Sequence, residues 1–214
     1  MKKIILLSLA IFAFTASFAQ QTFETAMKTN LDSLTNAKNP VSVQDCVNRF
    51  ERMANAEPNR WEAFYHLAYS QIIYNFWLHG NNKRQTALLD QADTNLEKAL
   101  GLKGDKSEIY TLQGFIFQSR IQLEPAQAMQ YAQQSSELFN RAIQANKDNP
   151  RPYYLSGMNT FYTPEQFGGG VKNALPKFET AKEKFDVEKK ANKNVLLPVW
   201  GTDENEKMIE KCKK

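Results

Sequence analysis

Histidine and cysteine are scarce, two of each among 214 residues, and that scarcity removes most metal and redox chemistry. His66 and His79 stand thirteen residues apart on a stretch that reads as one helix. That separation sets them roughly 140° apart around the axis, so they cannot share a metal ion. No His-Glu-x-x-His or Cys-x-x-Cys spacing occurs, and neither a metal nor a cofactor is expected. Charge of one sign is missing as well: 27 Lys and Arg are set against 23 Asp and Glu, a net of +4. Lysines alternate with glutamates instead of gathering on one side, a pattern that argues against a nucleic-acid partner. No Ser/His/Asp or Cys/His set suggests itself, and Gly168-Gly169-Gly170-Val171-Lys172 lacks the Gly-Lys-Ser/Thr ending of a phosphate loop. An enzyme is therefore not expected.

Long apolar runs are absent too. The longest, Ile4 to Phe14, is interrupted only by Ser8 and rises about 16 Å as a helix, roughly half a hydrocarbon core. Lys2 and Lys3 precede it, and Ser17-Phe18-Ala19 follows with small residues at the −3 and −1 positions of a cleavage site. The expectation is a secretory signal over residues 1–19, cut after Ala19. No Cys follows to take a lipid, so the product is periplasmic or secreted, without a membrane anchor. Residues 20–214 are then one domain. Export permits a disulfide between Cys46 and Cys212. The alternative is a buried free Cys46 in a slot that wants a small residue, with an exposed thiol in the tail.

No segment alternates as a strand would, and nearly everything after Thr22 reads as helix. Asn39-Pro40 ends the first helix. Ser42 with Asp45 and Asn59 with Glu62 mark the starts of the next two. The third is aromatic-rich and ends near Gly80, and Lys83 to Leu100 follows. Asp105 or Ser107 caps a helix to about Gln122, Pro125 sits in the first turn of one to Ala145, and Pro152 starts another to Phe161. Pro176 requires a start near Asn173 if it is to stay in the first turn, and Asp203 with Glu206 opens a short last helix.

Within these helices one pattern recurs. Ala92-Leu96-Ala99, Ser135-Phe139-Ala142 and Ala174-Phe178-Ala181 each place a small residue, a large apolar one four later and Ala three after that; Cys46-Phe50-Met53 is a looser copy. Offsets of four and three lie on one helical face, where small residues let a neighbouring helix approach closely. The helices before them carry an aromatic four ahead of a small residue, in Phe64–Ala68, Tyr110–Gly114 and Tyr153–Gly157.

Together these patterns resemble the tetratricopeptide repeat (TPR), with Pro58 where that family often has its proline and Asn146–Pro150 similar to its inter-repeat turn. The last members of the four triplets lie 46, 43 and 39 residues apart, against a usual period of 34, so the units are extended. The resemblance implies an all-α fold, a right-handed α-solenoid of about four TPR-like hairpins over about 41–190 with a C-terminal capping helix in 191–214. A shorter stretch resembles a loop in exported TPR-like relatives of the T component of TRAP transporters: Thr163, Pro164, Glu165, Gln166, Phe167, Gly168 and Gly169, running into Gly170. It reads as one helical turn and a tight passage to the next helix, or as free N–H groups that hold a carboxylate or water.

In a TPR array the first helix of each hairpin lines the concave face. Carried over, the pattern assigns Glu62, Tyr65 and Tyr69, then Thr111, Phe115 and Gln118, then Tyr154, Met158 and Phe161 to a groove. That groove is aromatic and weakly charged, suited to hydrophobic or stacking contact. The competing reading packs several of these rings against their own hairpin or the C-terminal segment. The implied function is an exported adaptor that holds a protein or peptide partner in the cell envelope, with a homo-oligomer open. The alternative is an accessory of a transport system that holds a small apolar ligand or docks on a solute-binding protein.

Overall fold

The computed structural model describes residues 21–191, 194 and 196–214; the expected signal segment, 1–19, lies outside them. Among the described residues every regular element is helical, so the fold is all-α. A first helix, α1, covers residues 21–35. It is followed by α2 (Pro40–Ala56), α3 (Trp61–Asn75), α4 (Asn82–Gly101) and α5 (Lys106–Leu123). Then come α6 (Ala128–Ala145), α7 (Arg151–Tyr162), α8 (Val171–Ala191) and α9 (Thr202–Cys212), with 3-10 turns at Pro125–Gln127 and Glu165–Phe167.

Side chains with competing partners move several starts. Asn39 caps α2 in place of Ser42: its side chain accepts the Ser42 amide at 2.9 Å, and the Ser42 hydroxyl receives the Asn39 amide at 3.4 Å. Pro40, with φ already helical, then opens the first turn. Helix α3 begins at Trp61 with no side-chain cap. Of the two candidates for α5, Asp105 accepts the Glu108 amide at 3.0 Å, while the Ser107 hydroxyl donates across to Ala142 O at 2.8 Å. Pro176 falls in the second turn of α8, which starts at Val171 instead of Asn173, and its missing N–H forfeits one helical bond. Gly201, at φ 105°, leads into α9 with no side-chain cap, so Asp203 and Glu206 form no capping box.

Packing follows chain order. Helix α3 packs on α2 and α4, α5 on α4 and α6, and α7 on α6 and α8, while α3, α5 and α7 also touch in succession. The small-large-Ala triplets form the seams of this stack. Ala92, Leu96, Ala99, Ser135, Phe139, Ala142, Ala174, Phe178 and Ala181 are all buried. Each aromatic of a triplet lies over a glycine of the preceding helix: a Cβ on Gly114 would fall 2.4 Å from Phe139, and one on Gly157 2.6 Å from Phe178. Two apolar clusters result, one around α1 to α5 and one around α6 to α9, and Phe115 and Trp200 pack against both.

The two cysteines end up in different clusters. Cys46 is buried on α2 and Cys212 is the half-buried last residue of α9, and both are free thiols. The disulfide reading is corrected accordingly, since Cys46 sits in one apolar cluster and Cys212 packs against the other.

Candidate functional site

Between α8 and α9 the chain crosses the inner helices as a strap, Leu196 to Gly201, whose two core residues Leu196 and Trp200 are apolar. Polar side chains of α3 and α7 hold its backbone and its indole. His66 Nε2 donates to Leu196 O at 2.8 Å, Arg151 Nη2 to Pro198 O at 2.7 Å, and Trp200 Nε1 to Tyr65 Oη at 3.0 Å. The Tyr65 hydroxyl in turn donates to Glu108 Oε2 at 2.8 Å.

Arg151 is the hub. Its guanidinium is fully buried and meets Glu108 Oε1 at 3.2 Å and both oxygens of Glu188 at 2.8 and 3.0 Å. Burial works against its charge, but the Glu108 and Glu188 carboxylates outweigh that and keep it ionised. Burial also pushes the Glu108 carboxyl up, opposed by Arg151 and by the Tyr65 hydrogen bond. His66 is lowered to about 4 by burial, against the pull of the Leu196 carbonyl. Because Nε2 faces a carbonyl it carries the proton, and Nδ1 has no partner among the described residues. These are structural duties: the clasp ties α3, α5, α7 and α8 to the strap.

The strap's Trp200 ring lies between Tyr69 (centroids 5.1 Å apart, planes 16° off) and Phe115 (6.2 Å, 20°), and Phe115 meets Phe76 at 5.7 Å. These separations are those of stacked and offset aromatic pairs, so four rings form a ladder along the inner face. A hollow lies on each side of it. One, of about 300 Å³, is bounded by Tyr69, Trp77 and Trp200, with the carboxylates of Asp203 and Glu204 at its edge. The other, of about 290 Å³, is walled by Phe76, Phe115, Ile121, Met158 and Tyr162. Its remaining surface is amide and hydroxyl, from Gln118, Gln122, Asn159 and Ser119, with no charged side chain. Gln118 is pinned by donating to Leu155 O at 3.1 Å and Asn159 Oδ1 at 2.6 Å.

The groove residues expected from the sequence divide into three groups. Phe115, Gln118 and Met158 line the second hollow and Tyr69 the first. Tyr65, Thr111 and Tyr154 are buried in the core, Tyr65 in the clasp and Thr111 donating to Ser107 O. Phe161 lies under the ammonium of Lys211, and Glu62 sits half-buried in the first turn of α3. Phe76, Tyr162 and above all Trp200 were not anticipated. The apolar Leu196-Leu197-Pro198-Val199-Trp200 run in a link between helices was the available signal; it marks a segment that must pack, though not where.

The glycine loop has no N–H to offer a ligand. The amides of Gly168, Gly169 and Gly170 donate to Glu165 O, Pro164 O and Thr160 O at 2.9, 3.2 and 2.9 Å. The anion-holding reading is thereby corrected: the loop is a connection. Gly168 and Gly170, at φ 81° and 88°, supply its turns.

No protein-family model matches the chain, and no curated protein matches it. Among solved structures it is similar to the HusA haemophore from Porphyromonas gingivalis, at 31% sequence identity and a TM-score of 0.79, over 89% of this chain and 92% of that one. Among the described residues no helix is long and apolar enough to cross a membrane.

Proposed function

The chain belongs to the family of the HusA haemophore, and we propose that it is an exported carrier of a porphyrin such as haem. The observation that carries this reading is the uncharged hollow walled by Phe76, Phe115, Ile121, Met158 and Tyr162 at the end of the aromatic ladder. Rings and a thioether around a slot suit the face of a flat, apolar ligand. The slot measures about 290 Å³, so one edge of a macrocycle enters it and the rest lies along the inner face. Its walls hold no His or Cys, and stacking therefore does most of the binding.

A peptide partner has less support. Between Tyr69 and Phe115, where a peptide's aromatic side chain would seat, the groove already holds Trp200. What remains beyond Phe115 has the dimensions of a small-molecule site, in line with the transport-accessory alternative. Residues 1–19, as an export signal, place such a carrier in the envelope or outside the cell, and the TPR-like hairpin stack is the scaffold we assign to it.

The test is titration of the protein with haemin and with metal-free protoporphyrin, followed by absorbance. Both should bind, and Phe76→Ala combined with Met158→Ala should weaken each by about tenfold, as expected for losing roughly 1.4 kcal/mol of stacking and apolar contact. Binding of neither, or binding that the double variant leaves untouched, would remove this reading of the hollow.

A further inference from the structure

The hollow is uncharged, yet a cation stands at its edge. Lys211, on α9, reaches over Tyr162, one of the walls: its Nζ lies 3.4 Å from Tyr162 Oη, 5.3 Å from the centre of that ring and 4.9 Å from the centre of Phe161. Among the described residues no carboxylate lies within ion-pair distance of it. Several other basic groups on α5 and α8 already have polar or acidic partners. Arg120 pairs with Asp90 at 2.6 Å, Lys177 donates to Ser156 at 3.0 Å, and Lys182 and Lys184 pair with acidic side chains.

We infer that Lys211 anchors a carboxylate arm of the flat ligand held against Phe76, Phe115 and Met158. The inference rests on the reading of the hollow given above and adds a determinant of specificity: the ligand is a planar macrocycle that carries acidic side arms. Two features of the geometry support it. The walls satisfy an apolar face but offer an anion nothing, so a charged arm must leave the hollow, and it leaves past Tyr162. Two aromatic faces already fix the ammonium there, so little side-chain freedom is lost when the arm arrives. The Tyr162 hydroxyl remains beside it as a second hydrogen-bonding group.

The experiment compares protoporphyrin, with two free carboxylates, and its dimethyl ester, of the same ring and no charge. Each is titrated against the unaltered protein, Lys211→Ala and Lys211→Arg. Lys211 is exposed, so the substitutions leave the core alone. Lys211→Ala should weaken the free acid about two- to fivefold, the range of a rim ion pair, and leave the ester unchanged. Lys211→Arg should retain the acid's affinity. The difference between acid and ester should shrink near 1 M salt, where the screening length is about 3 Å. Equal losses for acid and ester would make Lys211 a packing residue only, and no loss for either would remove it from the site; both outcomes overturn the anchor. If the unaltered protein binds neither form, the reading of the hollow fails and the anchor fails with it.

Discussion

Gly114→Ala is the smallest change that tests the seams of this stack. An ideal Cβ on Gly114 would lie 2.4 Å from Phe139 Cε1, 2.7 Å from Cδ1 and 3.1 Å from Cζ. Carbon atoms in good contact sit at about 3.5–4.0 Å, so the ring must withdraw by roughly 1 Å or α5 and α6 must part. Phe139 is only 1% exposed and has no free space to withdraw into. Overpacking of this kind costs about 1–3 kcal/mol. Alanine's better helix propensity returns up to about 1 kcal/mol, and the net expectation is a loss of about 1–2 kcal/mol. For a chain of this size that lowers the melting temperature by about 2–8 °C. Gly101→Ala is the control, since nothing lies within 4 Å of its added carbon and its melt should match the parent or exceed it slightly. Thermal unfolding followed by circular dichroism measures both. On a Phe139→Leu background the Gly114 substitution should cost less, with a coupling of about 1 kcal/mol in the double-mutant cycle. If Gly114→Ala melts at or above the parent, or the two changes are additive, the glycine-under-aromatic seam is not what brings these helices together. The same geometry recurs one hairpin later, where a Cβ added to Gly157 would fall 2.6 Å from Phe178.

Two further outcomes concern the clasp. Arg151→Met removes the cation that faces Glu108 and Glu188 and releases the Pro198 carbonyl. Breaking a buried pair from one side costs about 3–5 kcal/mol, and a fall of about 10 °C in melting temperature should follow; a fall of under about 2 °C would deny the clasp its structural role. His66 makes stability depend on pH. Its value in the folded protein, about 4, lies below the 6.5 of the unfolded chain, so its neutral-form stability is complete above about pH 6.5 and declines as pH falls towards 4. Below 6.5 the unfolded chain takes up a proton that the folded one refuses, which amounts to about 3 kcal/mol once pH 4 is reached. Urea unfolding of the parent and of His66→Gln across that window isolates the contribution, because the carboxylates are common to both proteins. Parallel pH profiles would show that His66 does not titrate as its burial requires.

The helical class, most boundaries and the packing faces could be read from residue order alone, because they are local. Spacings of three and four fix which side chains share a face, and glycine or alanine on that face sets how near the next helix comes. The triplets from Ala92 to Ala181 therefore named the seams, and all nine members are buried as the pattern requires. The groove was legible only in part. Phe115, Gln118 and Met158 line the hollow as their register implies, while Tyr65, Thr111 and Tyr154, at equivalent positions, are covered.

What covers Tyr65 is the strap, which arrives from 135 residues away along the chain, with Trp200 donating to the Tyr65 hydroxyl. Arg151 meets Glu108 and Glu188 across 43 and 37 residues. Nothing in the neighbourhood of any of these residues specifies its partner. Such contacts exist only once the hairpins have stacked and buried groups must find hydrogen bonds. By itself, then, the sequence determined the helices, their faces and the aromatic character of the inner wall. Tertiary structure alone decided that one tryptophan divides that wall and leaves a hollow on each side, one of them an uncharged slot with a lysine at its edge.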